Sequence, residues 1–235
     1  MAHITRLFVD HPLGAGQTVP VDRDHANRLF NVMRLQVGAE VRLFNGVDGE
    51  WSARVAEAGK RAGLLEVGDQ TAPLRPLADV WLCFAPIKKD RTDFIVEKAA
   101  ELGAARILPI LTEYTNAERV RVDRLQAHAV AAAEQCGGTV VPEVAAPAKL
   151  GALLDGWPAE RQIMFCDEAA TSGALPDLRG PWAVFIGPEG GFSDAERSRL
   201  AAMGHRVTLG PRILRADTAA VSALTLWQAT LGDWA

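Results

Sequence analysis

Between Ile4 and Gln70 the apolar positions fall in short β-like runs: Ile4–Val9, Glu40–Phe44, Trp51–Val55 and Gly63–Val67. Turn residues such as Asn45-Gly46 and Asp48-Gly49 separate several of them, so the region reads as a small β-barrel-like domain over residues 1–72. One helical stretch interrupts it, His25–Met33, with Leu29, Val32 and Met33 as its apolar side. The segment Thr71–Pro76 carries Pro73 and Pro76 directly after the last strand and has the composition of a linker.

Beyond the prolines the period changes. Asp79–Pro86, Arg106–Leu111, Gln162–Cys166, Trp182–Ile186 and His205–Leu209 are short, largely apolar runs of the kind buried in a parallel sheet. Helical patterns lie between them. Thr92–Leu102 stops at Gly103, and Val122, Leu125, Ala129, Ala132, Ala133 and Cys136 form a helical stripe. From Asp217 to about Leu231 the pattern is apolar nearly all round, which predicts a helix buried in its own domain or against a second subunit. The expected fold is α/β, a parallel-sheet domain over residues 73–235 preceded by the small barrel.

Composition narrows the classes. A chain of 235 residues with 49% hydrophobic and 23% charged side chains is neither disordered nor fibrous. No apolar run approaches the roughly 18 residues of a membrane span, and charges interrupt the N-terminal segment where a signal peptide has its apolar core. A cytoplasmic location is the expectation, with no membrane partner. The formal charge of −4 argues against binding nucleic acid through net positive field, although a local basic face stays open. Nine of the 25 Lys and Arg and nine of the 29 Asp and Glu fall in residues 1–75, so the acidic surplus lies in the C-terminal part. Cys83, Cys136 and Cys166 form neither a disulfide framework nor a zinc motif; buried free thiols and no metal are expected.

Chemistry concentrates at strand ends. Ile186-Gly187-Pro188-Glu189-Gly190-Gly191-Phe192-Ser193 runs from a strand through a glycine-rich turn into a helix, where Ser193 and Glu196 fit a capping box. Such a turn lets a ligand approach the backbone closely, or is simply a tight strand-to-helix connection. Leu209-Gly210-Pro211-Arg212-Ile213-Leu214-Arg215 also follows a strand and opens a helix that Asp217 or Thr218 can cap. Arg215 suits an RNA phosphate or a developing charge, or a salt bridge to Glu189 or Asp217. Lys88-Lys89-Asp90-Arg91 offers three cations before the helix carrying Glu97 and Glu101; it is a phosphate grip or a solvated helix start. No dinucleotide, nucleoside-triphosphate, zinc-protease or hydrolase signature is present, and His3, His11, His25, His128 and His205 are scattered.

The two glycine turns, together with Asp217-Thr218-Ala219, resemble the RsmE family of bacterial 16S rRNA uracil-N3 methyltransferases in the SPOUT superfamily. Further matches span the chain: Arg6-Leu7-Phe8, His25 to Arg34-Leu35, Lys88–Arg91, Glu97–Gly103 and Ala133-Glu134-Gln135 before Pro142-Glu143-Val144. The resemblance implies a PUA-like barrel for RNA, a trefoil-knotted methyltransferase domain, S-adenosylmethionine as methyl donor, and a homodimer acting on uracil 1498 of 16S rRNA in the small ribosomal subunit. It places the donor pocket at Leu111, Thr112, Gly187, Pro188, Gly190, Leu209, Gly210, Ile213, Leu214 and Ala219. It puts RNA contacts at Arg6, His25, Arg28, Arg34, Lys88 and Arg91. Arg215 would stabilise the uracil anion and Glu189 or Asp217 would remove the N3 proton. There are two departures from the family pattern: Gly137-Gly138 follow Glu134-Gln135-Cys136 where the family has a serine followed by glycine and arginine, so one expected arginine is absent, and Asp217 replaces the usual glutamate before Thr218. The alternatives are a related methyltransferase with another rRNA or tRNA target, and a non-catalytic RNA-binding dimer.

Overall fold

The computed structural model describes residues 4–116, 119–170 and 172–235 and divides into two compact units. His3 lies outside the described residues. The first unit comprises Met1–Pro76 with Ala133–Val140. Its strands are β1 (Thr5–Phe8), β2 (Thr18–Val21), β3 (Glu40–Phe44), β4 (Glu50–Ala58) and β5 (Gly63–Ala72). They form one sheet in the order β1-β3-β4-β5-β2, with β1 parallel to β3 and the other pairs antiparallel. Alternate side chains, Leu7, Val19, Val41, Leu43, Val55 and Leu65, turn inward and are lost to solvent, as period-2 strands with one buried face require.

Two expectations for this unit need correction and one strand was missed. Strand β2 has no counterpart in the sequence reading, because Pro20 argues against a strand; it is tolerated here since β2 pairs on one side only, with β5. The expected linker is not free chain: β5 continues through Thr71 and Ala72, Ala72 pairs with Glu50, and the Arg75 N–H donates to Thr139 Oγ1 at 2.9 Å. The expected helix is a short α1 (Arg23–Ala26) followed by a π-helical stretch, Asn27–Val32, whose widened turns show in the Met33 N–H donating to Arg28 O. The extra residue per turn leaves Ala26 and Leu29 inside while Val32 is 70% exposed and Met33 44%.

The second unit, Leu77–Ala132 with Val141–Ala235, holds a parallel sheet of β6 (Val80–Phe84), β7 (Arg106–Leu111), β8 (Glu143–Val144), β10 (Gln162–Cys166), β11 (Trp182–Ile186) and β12 (His205–Val207) in the order β12-β10-β11-β6-β7-β8, with β9 (Ala148–Lys149) also on β7. Both faces are covered, which is why these strands read as continuous apolar runs. On one face Leu82, Phe84, Val184 and Trp182 pack with helices α2 (Lys89–Glu101), α3 (Val122–Cys136) and α6 (Ala216–Thr230). On the other, Cys83, Phe165 and Phe185 pack with α4 (Leu150–Asp155) and α5 (Asp194–Met203). The short β8, β9 and α4 left no periodic signal. Cys83 and Cys166 are buried, whereas Cys136, in the last turn of α3, is exposed, contrary to expectation.

Candidate active site

Strands β12, β10 and β11 are neighbours, and their carboxyl ends open onto a cavity of about 440 Å³. Ligands in open α/β sheets bind at such strand ends. The floor is Ile186, Val207 and Leu209, and one wall is the first glycine turn, Gly187-Pro188-Glu189-Gly190-Gly191. The other wall is the turn after β12, Gly210 and Arg212–Arg215, with Ala216 and Ala219 from α6. Gly191 (φ +71°) and Gly210 (φ +109°) sit in the left-handed region, so both turns depend on glycine.

The first turn is anchored by its capping box. Glu196 Oε2 accepts the Ser193 N–H at 3.0 Å while the Ser193 hydroxyl accepts the Glu196 N–H. The second Glu196 oxygen accepts the Glu113 N–H at 2.9 Å, so one carboxylate also fixes the loop after β7. Thr112 in that loop bonds through its N–H and its hydroxyl to Thr115 Oγ1, at 2.9 and 2.8 Å. A side chain at Gly190 would meet Tyr114 at 3.2 Å.

Of the ten expected donor residues, eight line the cavity; Leu111 and Thr112 do not, although the next two residues of their loop lie against its surroundings, Glu113 on Glu196 of α5 and Tyr114 beside Gly190. Ile213 stands at the rim with 83% of its surface exposed. Arg215 and Glu189 also line the cavity, and among the described residues neither forms an ion pair, which removes the salt bridges considered for Arg215. Asp217 is not in the lining. It faces Arg91 at 3.6 Å, and its side chain accepts the Thr218 N–H instead of capping the helix, which begins one residue earlier with Arg215 at its N-cap. Lys88 caps the start of α2 through its backbone and is exposed.

The expected RNA contacts of the first unit divide. Arg6 is enclosed: Nε donates to Glu50 at 2.6 Å, the Nη groups donate to the carbonyls of Ala133, Glu134 and Gly138, and the guanidinium lies 4.6 Å from the Phe44 ring centre. It clamps the end of α3, a structural task rather than an open phosphate contact. Arg28 pairs with Glu134 at 2.6 Å, and the other Glu134 oxygen accepts the Phe8 N–H. His25 lies 3.4 Å from Asp22, whose carboxylate caps α1. Arg34 is exposed, without an ion pair among the described residues, and holds φ +58°, rare for a residue with a side chain.

Two lining residues escaped the sequence reading, Asp167 and Glu168, which follow β10 directly. The available signal was positional: they end an apolar strand, as the two recognised turns do. Cys166 beside them is inert, since burial pushes its thiol up to about 12. Among the described residues no three His, Cys, Asp or Glu side chains are placed to hold a metal ion, and no helix is long and apolar enough to cross a membrane.

This fold and cavity belong to a class. Residues 73–228 match the RNA methyltransferase domain family and residues 22–68 the RNA methyltransferase PUA domain, so the chain belongs to the RNA methyltransferases of this two-domain type. Within it, the chain is a member of the ribosomal RNA small subunit methyltransferase E family. It is 33% identical to that protein of Synechocystis, over 91% of this chain and 74% of the relative. The crystal structure of ribosomal RNA small subunit methyltransferase E from Neisseria gonorrhoeae bound to S-adenosylmethionine superposes with a TM-score of 0.88, at 30% identity over 99% of this chain and all of the other. A Legionella pneumophila protein in complex with S-adenosylmethionine gives the same score at 27% identity, covering 97% and 98% of the two chains.

Proposed function

We propose that this protein transfers a methyl group from S-adenosylmethionine to N3 of a uracil in 16S rRNA, acting as a homodimer on the small ribosomal subunit. The observation that carries the reading is the cavity at the ends of β10, β11 and β12. At about 440 Å³ it lies within the roughly 300–1,000 Å³ of small-molecule sites. Its walls fit an adenosyl group: apolar Leu209, Leu214 and Ala219 offer a bed for a flat base, and the two glycine turns expose backbone groups to its edge. When bound, the donor supplies an electrophilic sulfonium methyl.

The chain's own residues do the rest. Gly187, Pro188, Gly190, Gly210 and Ile213 orient the donor, and Leu111 and Thr112 act from behind through the Glu113 and Tyr114 contacts. Arg215 lines the cavity, without an ion pair among the described residues, and stabilises negative charge developing on a uracil oxygen. Glu189, which also lines the cavity, accepts the N3 proton; Asp217 is engaged with Arg91 and positions that cation. Uracil N3 is hydrogen-bonded in a stem, so the target base is single-stranded or flipped out. His25, Arg34, Lys88 and Arg91 remain the RNA contacts of this reading, and the PUA match supports a substrate-binding role for the first unit. The apolar Leu226 and Trp234, 36% and 53% exposed at and beyond α6, favour a dimer face. The trefoil threading of this domain is what the family resemblance implies, and the Thr208 N–H, which donates to Gly173 O, ties the chain leaving β12 to the segment after β10.

Arg215→Ala tests the assignment. Its kcat is expected to fall by roughly 10²–10³-fold with donor affinity nearly unchanged. A wild-type kcat removes Arg215 from the reaction, and absence of donor binding by the wild-type protein turns the reading to a non-catalytic RNA-binding dimer.

A further inference from the structure

The cavity's two walls come from turns that are distant in sequence, and one buried carboxylate joins the elements behind them. The Asp167 side chain has no exposed surface, yet it accepts a dense set of donors. Arg206 of β12 donates to Oδ2 from Nε at 2.9 Å and from Nη2 at 2.6 Å. Arg197 of α5 and the Ala169 N–H both donate to Oδ1. Arg197 then reaches Glu168 with its other nitrogen at 2.7 Å, and a side chain at Gly191 would lie 2.7 Å from that same Glu168 oxygen. A continuous path therefore runs from the first glycine turn through Glu168, Arg197 and Asp167 to Arg206, on the strand that feeds the second turn.

The position of Arg197 is informative. It lies in the opening residues of α5, where the helix dipole disfavours a cation, and two carboxylates hold it there. Charge-assisted, multiply bonded pairs of this kind fix geometry, and a buried one is weak as a source of stability alone. We propose that Asp167 is a positioning residue of the methyl-donor site: with Arg197, Arg206 and Glu168 it sets the separation of the two turns that grip the donor. The proposal rests on the donor reading of the cavity.

The test compares Asp167→Asn, Glu168→Gln and the cavity-filling Ala219→Phe by calorimetric S-adenosylmethionine binding, by kcat at saturating donor, and by thermal unfolding. Both clamp variants are expected to raise the donor Kd and KM by roughly tenfold, since sub-ångström misplacement weakens a preorganised site, while kcat at saturation stays within about twofold. Ala219→Phe should abolish donor binding. If it does while both clamp variants bind like wild type, the clamp is overturned and the donor site stands. If all three bind normally, the donor reading falls and the proposal with it. A lowered Tm with unchanged Kd makes Asp167 merely structural and also overturns it. Should Asp167→Asn fail to fold, Glu168→Gln, whose carboxylate is partly exposed, decides by the same Kd criterion.

Discussion

Arg6 shows how one side chain changes meaning once its surroundings are known. In sequence it is a cation near a barrel strand, as suited to phosphate as to anything else; in the fold it closes the end of α3 with three carbonyls and an ion pair to Glu50. Arg6→Ala would strand Glu50 and three carbonyls, so chemical denaturation should find it about 2–4 kcal/mol less stable. An unchanged midpoint would return Arg6 to the RNA surface. The cysteines give a second residue-scale prediction. Burial pushes Cys83 upward and Cys166 up to about 12, from an ordinary value of 9.0, while Cys136 is exposed. One thiol per native chain should react with a disulfide reagent at pH 8, and all three after unfolding. Because the folded chain holds the two buried protons that the unfolded chain releases, their stabilisation is complete below about pH 9 and is lost as pH rises towards 12. Stability rising across that interval would contradict the assignment.

At the scale of elements, local chemistry decides what a sequence discloses. The capping box at Ser193 and Glu196 was legible because its spacing is itself the mechanism, and Ser193→Ala should lower stability by about 1 kcal/mol in thermal or denaturant unfolding. A loss below a few tenths would mean Glu196 alone holds the helix start. Strands β3, β7, β10 and β11 were legible to the residue because apolar runs bounded by polar positions fix both ends. The π-helical stretch was not: residue spacing up to Leu29 fits an α-helix, and only packing reveals the extra residue that turns Val32 outward. Pro20 hid β2 for want of the edge position that tolerates it, and β5 absorbed part of the expected linker through pairing with β4. The candidate site divides the same way. Its glycine turns announce themselves through backbone requirements, while Asp167 carries no motif and gains its place from two arginines 30 and 39 positions away.

For the whole molecule, a chain of net charge −4 has to recognise an anionic polymer by arrangement and shape rather than by field. The methylation rate should accordingly be higher on assembled small subunits than on naked 16S rRNA, measured side by side at one ionic strength; the reverse order would point to a precursor rRNA substrate. The exposed Leu226 and Trp234 should be covered in solution, giving a sedimentation mass of twice 25.2 kDa; a monomer at micromolar concentration would remove the dimer from the account. The most direct test of the central claim is methyl transfer from labelled S-adenosylmethionine to small subunits from a strain lacking the activity, followed by nucleoside analysis of the rRNA. The account predicts label in 3-methyluridine; label in any other nucleoside, or none despite measurable donor binding, would contradict it.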